Sequence, residues 1–329
     1  MKLAMLGQPG CGRTTLFRAL AGDSEADPSR PLTVKVPDRR LEFLASVTDA
    51  RKTVHATVVF VDVQSPAFSP RNLSAVQDAA AFVAVVDNFA LGHPARDLME
   101  AEAELLLADL ALVEKRMERL RKESRRDSPE HAALERARAA LEDDRPLRTA
   151  EVPESDRRLL CAYSLHTLRP LMVVSNRGDE PVADETELRE MCADRGAALL
   201  PIDAAFELEL SYLPEEEHGD FLESMGYRAS GLDRLISAAY GTLDLVTFFT
   251  IGEDEVRAWP IRRGSTAPQA AGAVHTDMQR GFIRAKVIPF ETYRECPDEA
   301  ELRSRGEVRL EGKDYVVREG DILEIRFSV

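Results

Sequence analysis

The stretch Gly7-Gln8-Pro9-Gly10-Cys11-Gly12-Arg13-Thr14 keeps the spacing of G-x-x-x-x-G-K-[ST]. In that pattern glycines let successive backbone N–H groups curl around a polyphosphate at a helix N-terminus. Gly7, Gly10, Cys11, Gly12, Arg13, Thr14 and Thr15 are therefore the expected phosphate contacts, with Arg13 standing where the lysine belongs. A guanidinium keeps the positive charge, but its planar head cannot take the point-like place of an ammonium between β- and γ-phosphates. Asp62 ends the apolar run Ala56 to Val61, where a P-loop protein holds Mg²⁺ through water, and Thr14 is the expected second ligand. The turn after it, Asp62-Val63-Gln64-Ser65, lacks the glycine whose N–H would meet a γ-phosphate, and Gln64 could position a water but reads more simply as an exposed loop glutamine. A second constellation, Asn176-Arg177-Gly178-Asp179, follows the run Leu171 to Ser175. Asn-Lys-x-Asp at such a strand end reads a purine base, the stem of residue 177 covering the ring and the aspartate accepting from guanine N1–H and N2–H₂. Asp203-Ala204-Ala205 falls where a small-residue loop, with Ala204 in it, lies over the base.

These groups need strands to deliver them. Leu3 to Leu6, Ala56 to Asp62, Ala81 to Asp87, Leu171 to Ser175 and Ala198 to Ile202 are short, nearly continuous apolar runs, as strands buried on both faces should be. An edge strand over Leu32 to Val36 and a helix over Arg39 to Val47 complete the first part. From Asp97 to about Asp144 the character changes: Leu106, Leu110, Val113, Met117 and Leu120 alternate four and three apart, a heptad seam. Asp127-Ser128-Pro129 breaks it as cap and first turn of a second arm carrying Leu134, Ala137 and Leu141, which predicts an antiparallel helical hairpin. Its basic residues Arg116, Arg119, Arg121, Lys122, Arg125 and Arg126 could touch RNA or form a solvated face. After Leu243 short strands and tight turns take over, Tyr315 to Val317 among them, and predict a compact α+β domain. Arg257, Arg262, Arg263, Arg280, Arg284 and Lys286 give that domain a candidate basic face.

At 329 residues two or three domains are expected, and the net charge of −15 excludes polyanion binding by bulk charge. The four cysteines are scattered without C-x-x-C spacing, which argues against a disulfide framework or a zinc site. Cys11 at a helix N-terminus raises redox control as a minor reading, because that position lowers a thiol's pKa. No signal peptide or membrane-spanning run is found, so a cytoplasmic protein without a membrane partner, and a monomer, is expected.

Glu255 to Trp259, Gly264-Ser265-Thr266-Ala267-Pro268-Gln269-Ala270-Ala271-Gly272, His275-Thr276-Asp277, Gly281 to Ala285 and Leu310 to Val317 resemble the YchF family of P-loop ATPases, within the Obg-related translation-factor GTPases. The likeness covers essentially the whole chain. It implies an α/β P-loop nucleotide-binding domain over 1–96 and 146–244, an inserted coiled-coil hairpin over 97–145, and a ubiquitin-like β-grasp (TGS) domain over 245–329. It further implies a Mg²⁺-dependent ATP or GTP hydrolase associated with ribosomes. Family members use Asn-x-x-Glu where this chain has Asp179, and bring a histidine from a loop after the third buried strand; His93 occupies such a loop and is the implied catalytic residue. With Arg13, Ser65 and a short 22–31 loop departing from the family pattern, weak hydrolysis is expected, the alternative being a scaffold that binds ribosome or RNA through the TGS domain and the hairpin.

Overall fold

A computed structural model describes residues 1–48, 50–69, 72–90, 92–178, 185–227, 229–252 and 254–328. The chain forms two compact units, Met1–Val34 with Val59–Leu235, and Lys35–Val58 with Ile236–Val329.

The first unit is built on the strands β1 (Lys2–Leu6), β2 (Leu32–Lys35), β4 (Thr57–Asp62), β5 (Ala81–Asp87), β6 (Leu171–Asn176) and β7 (Ala198–Ile202), in the order β2-β4-β1-β5-β6-β7. Pairing is parallel from β4 through β7. Every residue of β5 and β6 is buried, which is why those segments read as unbroken apolar runs. The chain first leaves β1 toward β4, then returns to its other side at β5. The carboxyl end of β1 is therefore the point where the strand order reverses, the place where open α/β sheets take ligands. Helix α1 (Arg13–Ala21) leaves directly from it.

The expected hairpin consists of α4 (Pro94–Lys122) and α5 (Pro129–Glu142), numbered after α2 (Arg39–Val47) and α3 (Leu73–Asp78). Leu106, Val113, Met117 and Leu120 pack with Leu134, Ala137 and Leu141 in one core, with Leu110 partly buried beside them, so the seam read from the heptads is the one that packs. Ser128 caps α5 by accepting from the His131 N–H, and Pro129 takes the first turn, where its missing donor costs nothing. The core extends to Leu147, Leu160 and Leu165 in the return segment. Arg116, Arg119, Lys122 and Arg125 are ion-paired with Glu130, Glu123, Glu118 and Glu130 respectively, which favours the solvated-face reading of these charges.

The second unit has the strand order β11-β10-β12-β8-β9-β3. Its members are β3 (Lys52–Val54), β8 (Leu245–Ile251), β9 (Glu255–Arg262), β10 (Phe282–Pro289), β11 (Arg309–Glu311) and β12 (Asp321–Phe327). The β8/β9 hairpin, the helix Ala267–Val274 packed into its core and the last strand running parallel to β8 make the β-grasp arrangement. Residues 35–58, which the sequence reading kept in the nucleotide-binding domain, pack instead with this unit. β3 pairs in parallel with β9, Phe43 of α2 meets Phe290 edge to face, and Arg40 pairs with Glu319. Two details also differ from expectation. Tyr315 to Val317 forms only an isolated bridge, Thr266 to Val316, its backbone bonding the turn at Ser265 and Ala267, while the Tyr315 hydroxyl donates to Asp321. Lys286 does not belong to a basic face: it is buried and held between Glu299 and Glu324.

Candidate phosphate and base site

The phosphate loop leaves β1 through glycines in conformations that side chains rarely adopt. Gly12 sits at φ +84°, and a Cβ there would meet the Asn176 side-chain amide; a Cβ on Gly7 would meet the Val85 carbonyl of β5 at 2.5 Å. Gly12→Ala is expected to destabilise the protein by roughly 1–3 kcal/mol through the strained backbone alone. Urea denaturation monitored by circular dichroism checks this, and an unchanged midpoint would show that the loop relaxes at no cost. Gly12 is the N-cap of α1 and has no side chain to offer the first turn, so the N–H groups of Thr14 and Thr15 have no side-chain cap at the positive end of the helix dipole. That is the backbone cradle for an anion.

Asn176 joins this loop to the base side. Its amide donates to the Cys11 carbonyl at 3.0 Å, and its oxygen accepts from the Ala204 N–H at 3.0 Å. Three of the expected contacts, Cys11, Asn176 and Ala204, are thus brought together by one buried side chain. Arg177 lines a cleft of about 240 Å³ with Gly178, Asp203, Phe206, Tyr227 and Arg234. Phe206 and Tyr227 form an aromatic wall there, their rings 5.2 Å apart. The sequence reading missed both aromatics, and no spacing could have marked them, since they come from separate segments. Asp203 itself caps the following helix, accepting from the Ala205 and Phe206 N–H groups. Asp179 lies outside the described residues.

Arg13 turns inward. Its Nε donates to Asp62 Oδ1 and its Nη1 donates to the Gly7 carbonyl at 2.7 Å, with both side chains of the ion pair buried. Thr14 Oγ1 donates to Asp62 Oδ2 at 2.8 Å, and Gln64 Nε2 reaches the same oxygen at 3.2 Å. Thr14 and Asp62, the expected Mg²⁺ pair, therefore do meet, but with both carboxylate oxygens already accepting from side chains and a fixed cation against one of them. The buried guanidinium already neutralises the carboxylate and would repel a second cation there, so this donor set does not fit a divalent ion. Among the described residues no group of three or more His, Cys, Asp or Glu could hold a metal elsewhere. An open cleft of about 720 Å³ lies beside the cluster, lined by Thr14, Ser29, Asp62, Gln64 and Ser65.

His93 is exposed at the N-terminus of α4. It stands on the rim of a cleft of about 310 Å³ whose other wall includes Gln8, Pro9 and Cys11 of the phosphate loop, with Asp87 and Asp97 behind it. Burial pushes the Asp97 carboxyl above its ordinary range. The Cys11 thiol is also pushed up, burial outweighing the hydrogen bond and charge from Arg13. A thiol held protonated is a poor nucleophile, which argues against redox control at this position.

A family model described as YchF-GTPase_C, protein of unknown function (DUF933), matches residues 245–328. The chain is 35% identical over 361 positions to the ribosome-binding ATPase YchF of Bacillus subtilis, covering 99% of this chain and 98% of the relative. It is 34% identical over 362 positions to the protein of the same name in Escherichia coli O157:H7, covering 100% of this chain and 99% of that one. Both alignments are longer than the 329 residues here, so these relatives carry residues that this chain lacks. Among solved structures it is similar to the Schizosaccharomyces pombe YchF GTPase, with a TM-score of 0.90 and 27% identity over 99% of this chain and 97% of that one.

Proposed function

The chain belongs to the YchF family, and from that premise we propose that it is a purine-nucleotide-binding P-loop protein of the ribosome whose grip on nucleotide outlasts its power to hydrolyse it. The observation that carries the reading is the uncapped α1 terminus, set in a glycine loop and tied through Asn176 to the loop that carries Ala204. Gly7, Gly10, Cys11, Gly12, Arg13, Thr14 and Thr15 surround the phosphates. Asn176, Arg177, Asp179 and Ala204 serve the base, which is adenine or guanine, and His93 is the candidate catalytic side chain. Ribosome association comes from the relatives' names, and a cytoplasmic, monomeric protein accords with it. Among the described residues no helix is long and apolar enough to cross a membrane.

Slow turnover follows from Arg13. Phosphoryl transfer needs positive charge placed on the developing phosphate charge, and the guanidinium is spent on Asp62. Losing one such contact costs on the order of 10²–10³ in rate. Arg13→Lys is expected to recover at least about tenfold of that loss in phosphate release at saturating ATP or GTP. A rate that the substitution leaves unchanged would take hydrolysis out of Arg13's control. Calorimetric titration with ATP and GTP tests the binding itself; no heat with either would favour the scaffold reading.

A further inference from the structure

We infer that Arg13 is this site's built-in counter-ion, so that the protein binds purine nucleotide without a divalent cation. The inference rests on the nucleotide-binding reading above. It starts from the cluster of Arg13, Asp62, Thr14, Gln64 and Gly7. A carboxylate buried at a strand end must be neutralised, either by a metal ion or by a fixed cation. Here Asp62 Oδ1 accepts from Arg13 Nε, and Oδ2 accepts from Thr14 Oγ1 at 2.8 Å and Gln64 Nε2 at 3.2 Å. The Arg13 side chain is 6% exposed and that of Asp62 fully buried, so the pair is weakly screened and already neutral. A guanidinium stays charged at every accessible pH, and a divalent ion on the same carboxylate would face it across a short, dry gap.

The arrangement is also braced from behind. Arg13 Nη1 donates to the Gly7 carbonyl at 2.7 Å, so the side chain is pinned at both ends to the loop and to β4. Lysine could not reproduce this, having one charged nitrogen at the end of a flexible stem where arginine has a planar fork. Phosphates entering the loop then meet the backbone N–H cradle, which does not depend on a metal.

The test is calorimetric titration of the full chain with ATP and with GTP, once with Mg²⁺ in excess and once in EDTA. Wild-type affinity is expected to differ by less than about threefold between the two buffers, because the cation contributes no contact that the protein shares. Arg13→Lys releases Asp62 and is expected to make binding at least about tenfold tighter with Mg²⁺ than without. A wild-type affinity that falls tenfold or more in EDTA overturns the inference without touching the nucleotide-binding reading, and so does an Arg13→Lys protein that remains indifferent to Mg²⁺. Absence of binding in both buffers overturns the underlying reading and this one with it. The wild-type comparison stands by itself should the variant fail to fold.

Discussion

Asn176→Ala is expected to weaken nucleotide binding by about 10–100-fold and to lower stability by about 2–6 kcal/mol. The reason is the double duty of one buried amide. It donates to the Cys11 carbonyl and accepts from the Ala204 N–H, each at 3.0 Å, so it holds the phosphate loop and the base loop at a fixed separation. Alanine orphans both backbone groups where water has little access, and each orphan costs about 1–3 kcal/mol. The loop is also freed, because the amide is what lies closest to Gly12. Calorimetry with ATP and GTP, together with urea denaturation, separates the two effects. A variant that binds as tightly as the parent would show that the two loops are positioned by the strands alone.

The second large effect is expected far from the nucleotide. Asp109 on α4 is fully buried and accepts from the His166 and Thr167 N–H groups, from Thr167 Oγ1 and from the His166 ring, all within 2.7–2.8 Å. It thereby fastens the hairpin to the turn that leads into β6, the strand delivering Asn176. Asp109→Ala leaves two buried backbone donors and a hydroxyl without acceptors, a loss of about 3–5 kcal/mol by analogy with breaking one side of a buried pair. For a unit of this size that lowers the melting temperature by about 10 °C. Differential scanning calorimetry reads it directly. A shift of less than about 2 °C would mean that the turn finds other acceptors when the carboxylate is gone.

What could be read from the chain alone was whatever is written locally. The loop spacing at Gly7, Gly12 and Thr14, the apolar runs of β5 and β6, and the Leu106 to Leu120 seam each carry their own period or geometry, and the structure forms a glycine loop, two buried strands and a packed seam at those positions. Three things were not legible. The direction of Arg13 is a matter of side-chain torsions decided by Asp62 and Gly7, one of them 49 residues away. Lys286 looks like an outward charge in a strand, yet Glu299 and Glu324 enclose it from separate elements. The segment 35–58 has ordinary strand and helix signals, including Asp38 capping α2, but nothing local says which sheet its strand joins.

That last feature bears on how the polypeptide is made. β3 pairs with β9, and Lys52 faces Glu255 in the register, so the two partners are roughly two hundred residues apart along the chain. At about 5–20 residues per second, β3 leaves the ribosome some 10–40 s before its neighbour exists. During that interval it is an orphan strand on a nascent chain, the situation in which aggregation begins. Its composition suits the wait: three residues, of which Lys52 and Thr53 are exposed even in the finished fold, offer a passing chain little to zip onto. The second unit is consequently finished only when synthesis ends, although a part of it is among the first fifth or so of the protein to be translated.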